Sequence, residues 1–297
     1  MIHVVGHTAT DHICRVPKLP GRHESTYITD HQIYFGGGAA NIAAGIARLG
    51  EETTLISAVG KDFVNSDYDR WMDDLGIHKN LFVVDGVRTP TAYMFTDEQG
   101  DQVTFFEWGA SATFAHQEAP ALDFVHLATA DPDFNVRVAQ KSSVVSFDPG
   151  QDLLNYSREQ LCEILTHTSI LFANRHEIAG VSREIGRSEE SIVGDIPIAV
   201  ITMDAQGSNV YVDGERHFVP VVPVQLVDPT GAGDAYRAGF LTGHVRGYTP
   251  LECARIGTVT ASFVIEKPGC QTNLPDWIMM RERYRRHFGL LEERDDV

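Results

Sequence analysis

The sequence predicts an α/β fold, with a central, mainly parallel sheet covered by helices on both faces and a small β-sheet flap outside those layers. Two observations predict the layers. Short β-branched runs alternate with helical segments along most of the chain, as in successive βαβ units. Glycines stand where several of the helical segments should stop, the usual punctuation at a helix C-terminus. A third observation predicts the flap, because two stretches break the alternation.

Taken in order, Ile2–Val5 reads as a first strand ending at Gly6. The stretch from His12 to Phe35 is the first interruption. Ala40–Leu49 reads as a helix closed by Gly50, Thr53–Val59 as a strand, and Asp62–Leu75 as a helix closed by Gly76. The second interruption holds Ala92–Phe95 and Val103–Phe106, joined by Asp97–Asp101, whose turn residues suit a hairpin tip. Together the interruptions, about 12–35 and 91–108, form the flap, and the pattern leaves open whether it is a lid or a surface hairpin. Core strands follow at Phe124–Leu127, Val144–Phe147, Ile170–Phe172 and Ile198–Thr202, most with a helix between them. Beyond residue 230 the chain turns helical, at Gly231–Arg246, Pro250–Ile265 and Pro275–Phe288, and the charged tail Glu292–Val297 is expected to fray.

Composition excludes several classes of partner. The 41 acidic residues against 24 basic ones leave a net charge of −17, which argues against nucleic acid or an anionic membrane as partner. Five of the basic residues are lysines, a balance that suits either an arginine-rich genome or a salty cytoplasm. The four cysteines, Cys14, Cys162, Cys253 and Cys270, form no C-x-x-C pair and no zinc-like spacing with histidine. With 43% hydrophobic residues, no leader-like N-terminus and no run long enough to span a bilayer, the expectation is a soluble, cytoplasmic protein.

The chemistry concentrates in Val227-Asp228-Pro229-Thr230-Gly231-Ala232-Gly233-Asp234-Ala235, between a strand-like Val224–Val227 and a helix. Small residues let a ligand approach the backbone. Unpaired N–H groups at a helix start carry the positive end of the helix dipole and suit a phosphate. Asp234, in the first turn, is placed to accept a proton from an attacking hydroxyl. Little more than alignment, charge neutralisation and a base is needed for phosphoryl transfer. The string is not a Walker A loop, and Tyr236 stands where a dinucleotide fingerprint would have its third glycine.

That string is similar, residue for residue, to the C-terminal signature of the PfkB, or ribokinase-like, carbohydrate kinase family. Gly36-Gly37-Gly38-Ala39-Ala40-Asn41-Ile42-Ala43, with Leu49-Gly50, resembles its N-terminal signature. Gly60-Lys61-Asp62 and Asn174-Arg175-His176-Glu177 resemble two further motifs, so the likeness runs from Gly6 to about Gly269. The resemblance implies a single kinase domain over residues 1–297, of three-layer αβα type, with the flap as a lid over the substrate. It implies Asp234 as general base, with Gly231, Ala232 and Gly233 as the anion hole. Asp11, Gly37, Gly38 and Asn41 would hold the acceptor. Asn174 and Glu177 would organise Mg²⁺, through water, and the nucleotide phosphates, and Thr202, Gly207 and Thr230 would line the nucleotide site. ATP is the implied donor, and a monovalent cation such as K⁺ would sit at carbonyls near Asp228 and Thr230. From the residues alone, Asn174 with Glu177 is equally readable as a helix capping box, Asp11 as a turn acid, and the glycines as a helix-start turn.

Two departures matter. Thr202-Met203-Asp204-Ala205-Gln206-Gly207 carries Asp204 where the family pattern T-x-G-x-x-G has its first glycine, which leaves ADP or another donor open. Leu127–Asp131 offers no counterpart of the glutamate often found in ribose and fructose kinases. Asp234–Gly239 and Glu266–Gln271 look similar to stretches of adenosine-kinase-like members, and Phe105, Phe106 and Trp108 offer ring faces for a base. The expected acceptor is therefore a nucleoside or a sugar. A non-catalytic sugar or nucleoside sensor and a dinucleotide-dependent oxidoreductase are the alternatives from other classes. An exposed flap edge also allows a lid-to-lid homodimer.

Overall fold

The computed structural model describes residues 1–294; the last three residues of the charged tail lie outside the described residues. In chain order the first elements are β1 (Ile2–Val5), β2 (Ala9–Arg15), β3 (Asp30–Gly36), α1 (Gly38–Arg48), β4 (Thr53–Gly60), α2 (Asp67–Asp74), β5 (His78–Val84), β6 (Thr91–Thr96) and β7 (Gln102–Glu107). The middle of the chain supplies β8 (Phe124–Leu127), α3 (Pro132–Ala139), β9 (Val144–Phe147), α4 (Arg158–His167), β10 (Thr168–Asn174), α5 (Arg175–Ile185), α6 (Glu189–Asp195), β11 (Ile198–Thr202), β12 (Ser208–Val212) and β13 (Glu215–Val219). It ends in α7 (Ala232–Val245), α8 (Pro250–Val264) and α9 (Trp277–Phe288).

Nine strands form one sheet in the order β13-β12-β11-β10-β9-β8-β1-β4-β5. The strands from β11 to β5 run parallel, and only β12 and β13 at one edge are antiparallel. Alternate residues of each central strand feed two separate cores. On β10, Ile170 and Phe172 join the core under α1, α7 and α8, and Leu171 and Ala173 join the core under α3, α4 and α5. The same split holds on β4, with Leu55 and Val59 on one side and Ile56 and Ala58 on the other. Burial on both faces is why these strands read as unbroken apolar runs. The αβα layering expected from the sequence is therefore present.

The flap is a separate four-stranded sheet in the order β3-β2-β6-β7. It begins at Ala9, three residues earlier than the sequence suggested. Its register sorts the faces: Asp11 pairs with Ala92, and Ala92 with Phe106, in one cross-strand row. The neighbouring row runs Ile33, His12, Tyr93 and Phe105, which the pleat turns to the opposite face.

Three local readings change. The helix read over Asp62–Leu75 starts only at Asp67, capped by Ser66. Ahead of it, Asp62 accepts from Thr89 N and Thr89 Oγ1, each at 2.9 Å, which fastens this turn to the entry of β6. The strand-like Val224–Val227 joins no sheet; the Val227 and Asp228 N–H groups donate to Ile265 O at the end of α8. The β12–β13 hairpin was legible but not read, since Asp213-Gly214, both at positive φ, is a hairpin-turn pair. Among the described residues no helix is long and apolar enough to cross a membrane.

Candidate active site

A cleft of about 1030 Å³ opens at the carboxyl ends of the parallel strands, with the small sheet over it. Strand order in the large sheet reverses its progression between β1 and β8, since β4 and β5 extend one way from β1 while β8 to β11 extend the other. Ligands of open α/β sheets bind at such a switch point. Here His7 follows β1, Thr129 follows β8 and Asp148 follows β9, while Asn174 and Thr202 end β10 and β11; all five line the cleft.

Two helices start at this cleft side by side, α1 at Gly37 and α7 at Gly231. Both caps need glycine. Gly37 sits at φ 90°, and a Cβ there would lie 2.5 Å from His7 O. Gly231 sits at φ 81°, and a Cβ there would lie 2.7 Å from Cys270 Cβ. Asp234, in the first turn of α7, accepts a 2.8 Å hydrogen bond from Asn41 Nδ2 in the first turn of α1. Gln271 Nε2 donates to Asn41 Oδ1 at 2.9 Å, and Trp71 Nε1 donates to Gln271 Oε1 at 2.9 Å. That relay settles the Asn41 amide orientation, so its NH₂ faces Asp234. Burial raises the Asp234 carboxyl to about 6, against the opposing pull of Arg237 and the Asn41 bond.

Asp11 enters from the inner face of the flap. Burial, then the nearby charge of Asp234, pushes its carboxyl up to about 7. Phe106, in the same cross-strand row, lines the cleft and packs its ring 4.8 Å from that of His7. Trp108 also lines the cleft, whereas Phe105 is 61% exposed on the outer face, so only two of the three expected aromatics can meet a ligand there.

The signature turn is braced from within. Asp228 Oδ1 accepts from Thr230 N at 3.0 Å and Thr230 Oγ1 at 2.6 Å, and its Oδ2 accepts from Gly269 N at 3.2 Å. The Ala232 N–H donates to Pro229 O at 3.2 Å. Thr230 and Ala232, both expected at the ligand, thus use these groups to shape the turn. Arg237, one turn beyond Gly233, is buried with its Nε 2.6 Å from Asp148 Oδ2. Its charge also acts on Glu177 and Asp234. The site therefore gathers three acids around a single buried cation.

On the other side of the cleft, Asn174 and Glu177 do form a capping box. Asn174 Oδ1 accepts from the N–H groups of His176 at 2.8 Å and Glu177 at 2.9 Å, and Glu177 Oε2 accepts from Asn174 N at 2.7 Å. Both residues also line the cleft, so capping the helix does not take them out of a ligand's reach. Burial and the Asp148 charge raise the Glu177 carboxyl to about 7. Asp204 takes the left-handed conformation, φ 51°, that a glycine would supply, and its carboxylate is 2.9 Å from Arg175 Nη2. Its charge near the expected nucleotide is thereby offset. Thr202 and Gly207 line this end of the cleft. Among the described residues no cluster of three or more His, Cys, Asp or Glu is arranged to hold a metal ion.

Sequence reasoning did not single out His7, Asp148, Asp152, Arg237 or Trp71 as site residues. Only Arg237 had a local signal, lying one turn from the signature glycines.

The family model described as pfkB family carbohydrate kinase matches residues 1–277. A nucleoside kinase of Methanocaldococcus jannaschii is 43% identical over 290 residues, 95% of this chain and 96% of that protein. Its crystal structure, an archaeal member of the ribokinase family, superposes with a TM-score of 0.90, covering 96% of this chain and 98% of that one. A nucleoside kinase of Methanothermobacter thermautotrophicus is 39% identical over 296 residues, 96% of each chain.

Proposed function

Since this chain belongs to the pfkB family of carbohydrate kinases, we propose that it is an ATP-dependent nucleoside kinase with Asp234 as its general base. It is a phosphotransferase acting on an alcohol group, and its relatives at 43% and 39% identity are nucleoside kinases. The observation that carries the residue assignment is the Asn41–Asp234 bond of 2.8 Å, which joins two glycine-capped helix starts in one cleft. One helix start faces the acceptor and the other the phosphoryl group.

In this reading the acceptor hydroxyl lies between Asp11 and Asp234, over Gly37 and Gly38. Asp234 takes its proton as the new oxygen–phosphorus bond forms and the bond to the leaving diphosphate breaks. The dipole of α7 and the N–H groups of Gly231 and Gly233 hold the transferring phosphoryl group. Mg²⁺, when bound, offsets charge on the donor phosphates. Glu177 and Asn174, which line the cleft and offer hard oxygen atoms, fit such an ion. Carbonyls of the turn near Asp228 and Thr230 would take the monovalent cation. Thr202 and Gly207 lie at the nucleotide end. The small sheet acts as the lid, excluding water from the phosphoryl group.

The test is acceptor-dependent turnover with Mg²⁺, at low and high KCl, using ATP or ADP against a panel of nucleosides, ribose, ribose 1-phosphate and fructose. Turnover of nucleosides with ATP is expected. Turnover confined to the sugars would discard the nucleoside acceptor and keep the base, and binding without turnover would indicate a sensor.

The chain also pairs with a second copy through the outer face of the lid. The apolar row through Ile33 and Phe105, 58% and 61% exposed, supports this. Sedimentation should give a dimer for the wild type and a monomer for Phe105→Asp. A wild-type monomer at tens of micromolar would remove the idea.

A further inference from the structure

Next to the proposed ribose pocket lies a polar group that the transfer mechanism does not use. A Cβ on Gly38 would lie 3.1 Å from Thr129 Oγ1, and one on Gly150 would lie 2.5 Å from Thr129 Cγ2. The 3₁₀ segment Gly150–Asn155 therefore borders the pocket on the far side of Thr129. From this segment Asp152 lines the cleft, although only 8% exposed. His7 Nε2 lies 3.0 Å from Asp152 Oδ2, and Asn155 Nδ2 lies 3.3 Å from Asp152 Oδ1. Ser111 Oγ is 2.8 Å from His7 Nδ1. The His7 ring is therefore held at both nitrogens, by Ser111 on one side and Asp152 on the other. His7 is thus a positioning residue that aims Asp152. The His7 ring is itself 4.8 Å from Phe106 and 5.0 Å from Trp108. An aromatic surface and a fixed carboxylate meet at one wall.

A carboxylate has about four acceptor directions, and the protein donors named here fill two. Asp152 lines the cleft, where a ligand can supply a further donor, and a buried acceptor left unmet is costly. We propose that Asp152 is a specificity-determining residue that selects nucleosides whose base carries an amino group at the purine 6 or pyrimidine 4 position. This inference rests on the nucleoside kinase reading above. Phe106 and Trp108 supply the apolar surface for the base, and Asp152 accepts N–H from its edge. A base with a carbonyl at that position would turn its lone pairs toward the same carboxylate and be disfavoured. Sites built around a buried hydrogen bond discriminate strongly against partners that lack it.

The experiment compares kcat/KM for adenosine with inosine and for cytidine with uridine, in wild type and in Asp152→Asn. Each pair contrasts an amino-bearing base with one lacking that group. The wild type should favour the amino-bearing member at least tenfold, and Asp152→Asn should shrink both ratios by a similar factor, chiefly through KM. Thermal midpoints are read alongside. If Asp152→Asn does not fold, His7→Gln replaces it and should lower the same ratios severalfold. No wild-type preference, or a variant that slows both members of a pair equally, overturns the role of Asp152 while leaving the nucleoside kinase intact. A wild type that turns over sugars but no nucleoside overturns both.

Discussion

Asp234→Asn is expected to lower kcat by about 10²–10⁴-fold, the usual worth of a positioned base. The amide keeps an oxygen to accept the Asn41 hydrogen bond, so fold and substrate binding should persist and KM should change little. Near-full activity would end the assignment. The same group shapes the pH profile. Asp234 works ionised, and burial raises its carboxyl to about 6, so kcat/KM should rise with pH through that value. Asp11, raised to about 7, extends the acid limb upward. The variant should lose the lower part of that limb. Stability moves the other way. A carboxyl whose folded pKa exceeds its unfolded one binds protons more tightly in the folded state. Its stabilising contribution is complete below the ordinary value of 3.8 and is lost as pH rises through about 6. At pH 8, Asp234→Asn should therefore melt no lower than the wild type, and a clear loss there would contradict the burial argument.

Arg237→Met should cost about 3–5 kcal/mol of stability near pH 8, because removing one partner of a buried ion pair strands the other. Asp148, 2.6 Å from Arg237 Nε and 5% exposed, would keep its charge without a cation. Glu177 and Asp234 would lose the same compensation. The guanidinium also covers the Phe172 ring at 5.8 Å, so methionine preserves some packing and isolates the charge. The three acids can escape by protonation, since their folded pKa values would rise further without Arg237. The deficit should thus narrow between pH 8 and pH 5. Urea unfolding at the two pH values measures it. A loss under about 1 kcal/mol at pH 8, or one that does not narrow on acidification, would show that the cluster tolerates its acids without the cation.

How legible the molecule was depended on the range of the interactions. Local patterns read well: β1, β4, β8, β9, β10 and β11 were recognisable as β-branched runs, and α7 and α8 were found within about a residue at each end. Where a local pattern met a long-range constraint it misled. Asp62 looked like the start of a helix, but its carboxylate is held by Thr89, 27 residues on. Val224–Val227 had strand-like residues, but it joins no sheet, and the Val227 N–H goes to Ile265 O instead.

By itself the sequence determined the fold class, the two glycine-capped helix starts and the position of Asp234 in the first turn of the second. These follow from contacts within a few residues, where chain geometry alone limits the outcome. Only the tertiary structure decided what surrounds that aspartate. Asn41 and Gln271 are separated by 230 positions, and His7 and Asp152 by 145. Arg237 and Asp148 come from α7 and from the loop after β9. Burial and charge proximity set the carboxyl groups of the site, and both depend on which distant segments share a cleft. That sharing arises where β1 and β8 part at the switch point of the sheet, a property of strand order that no local pattern encodes.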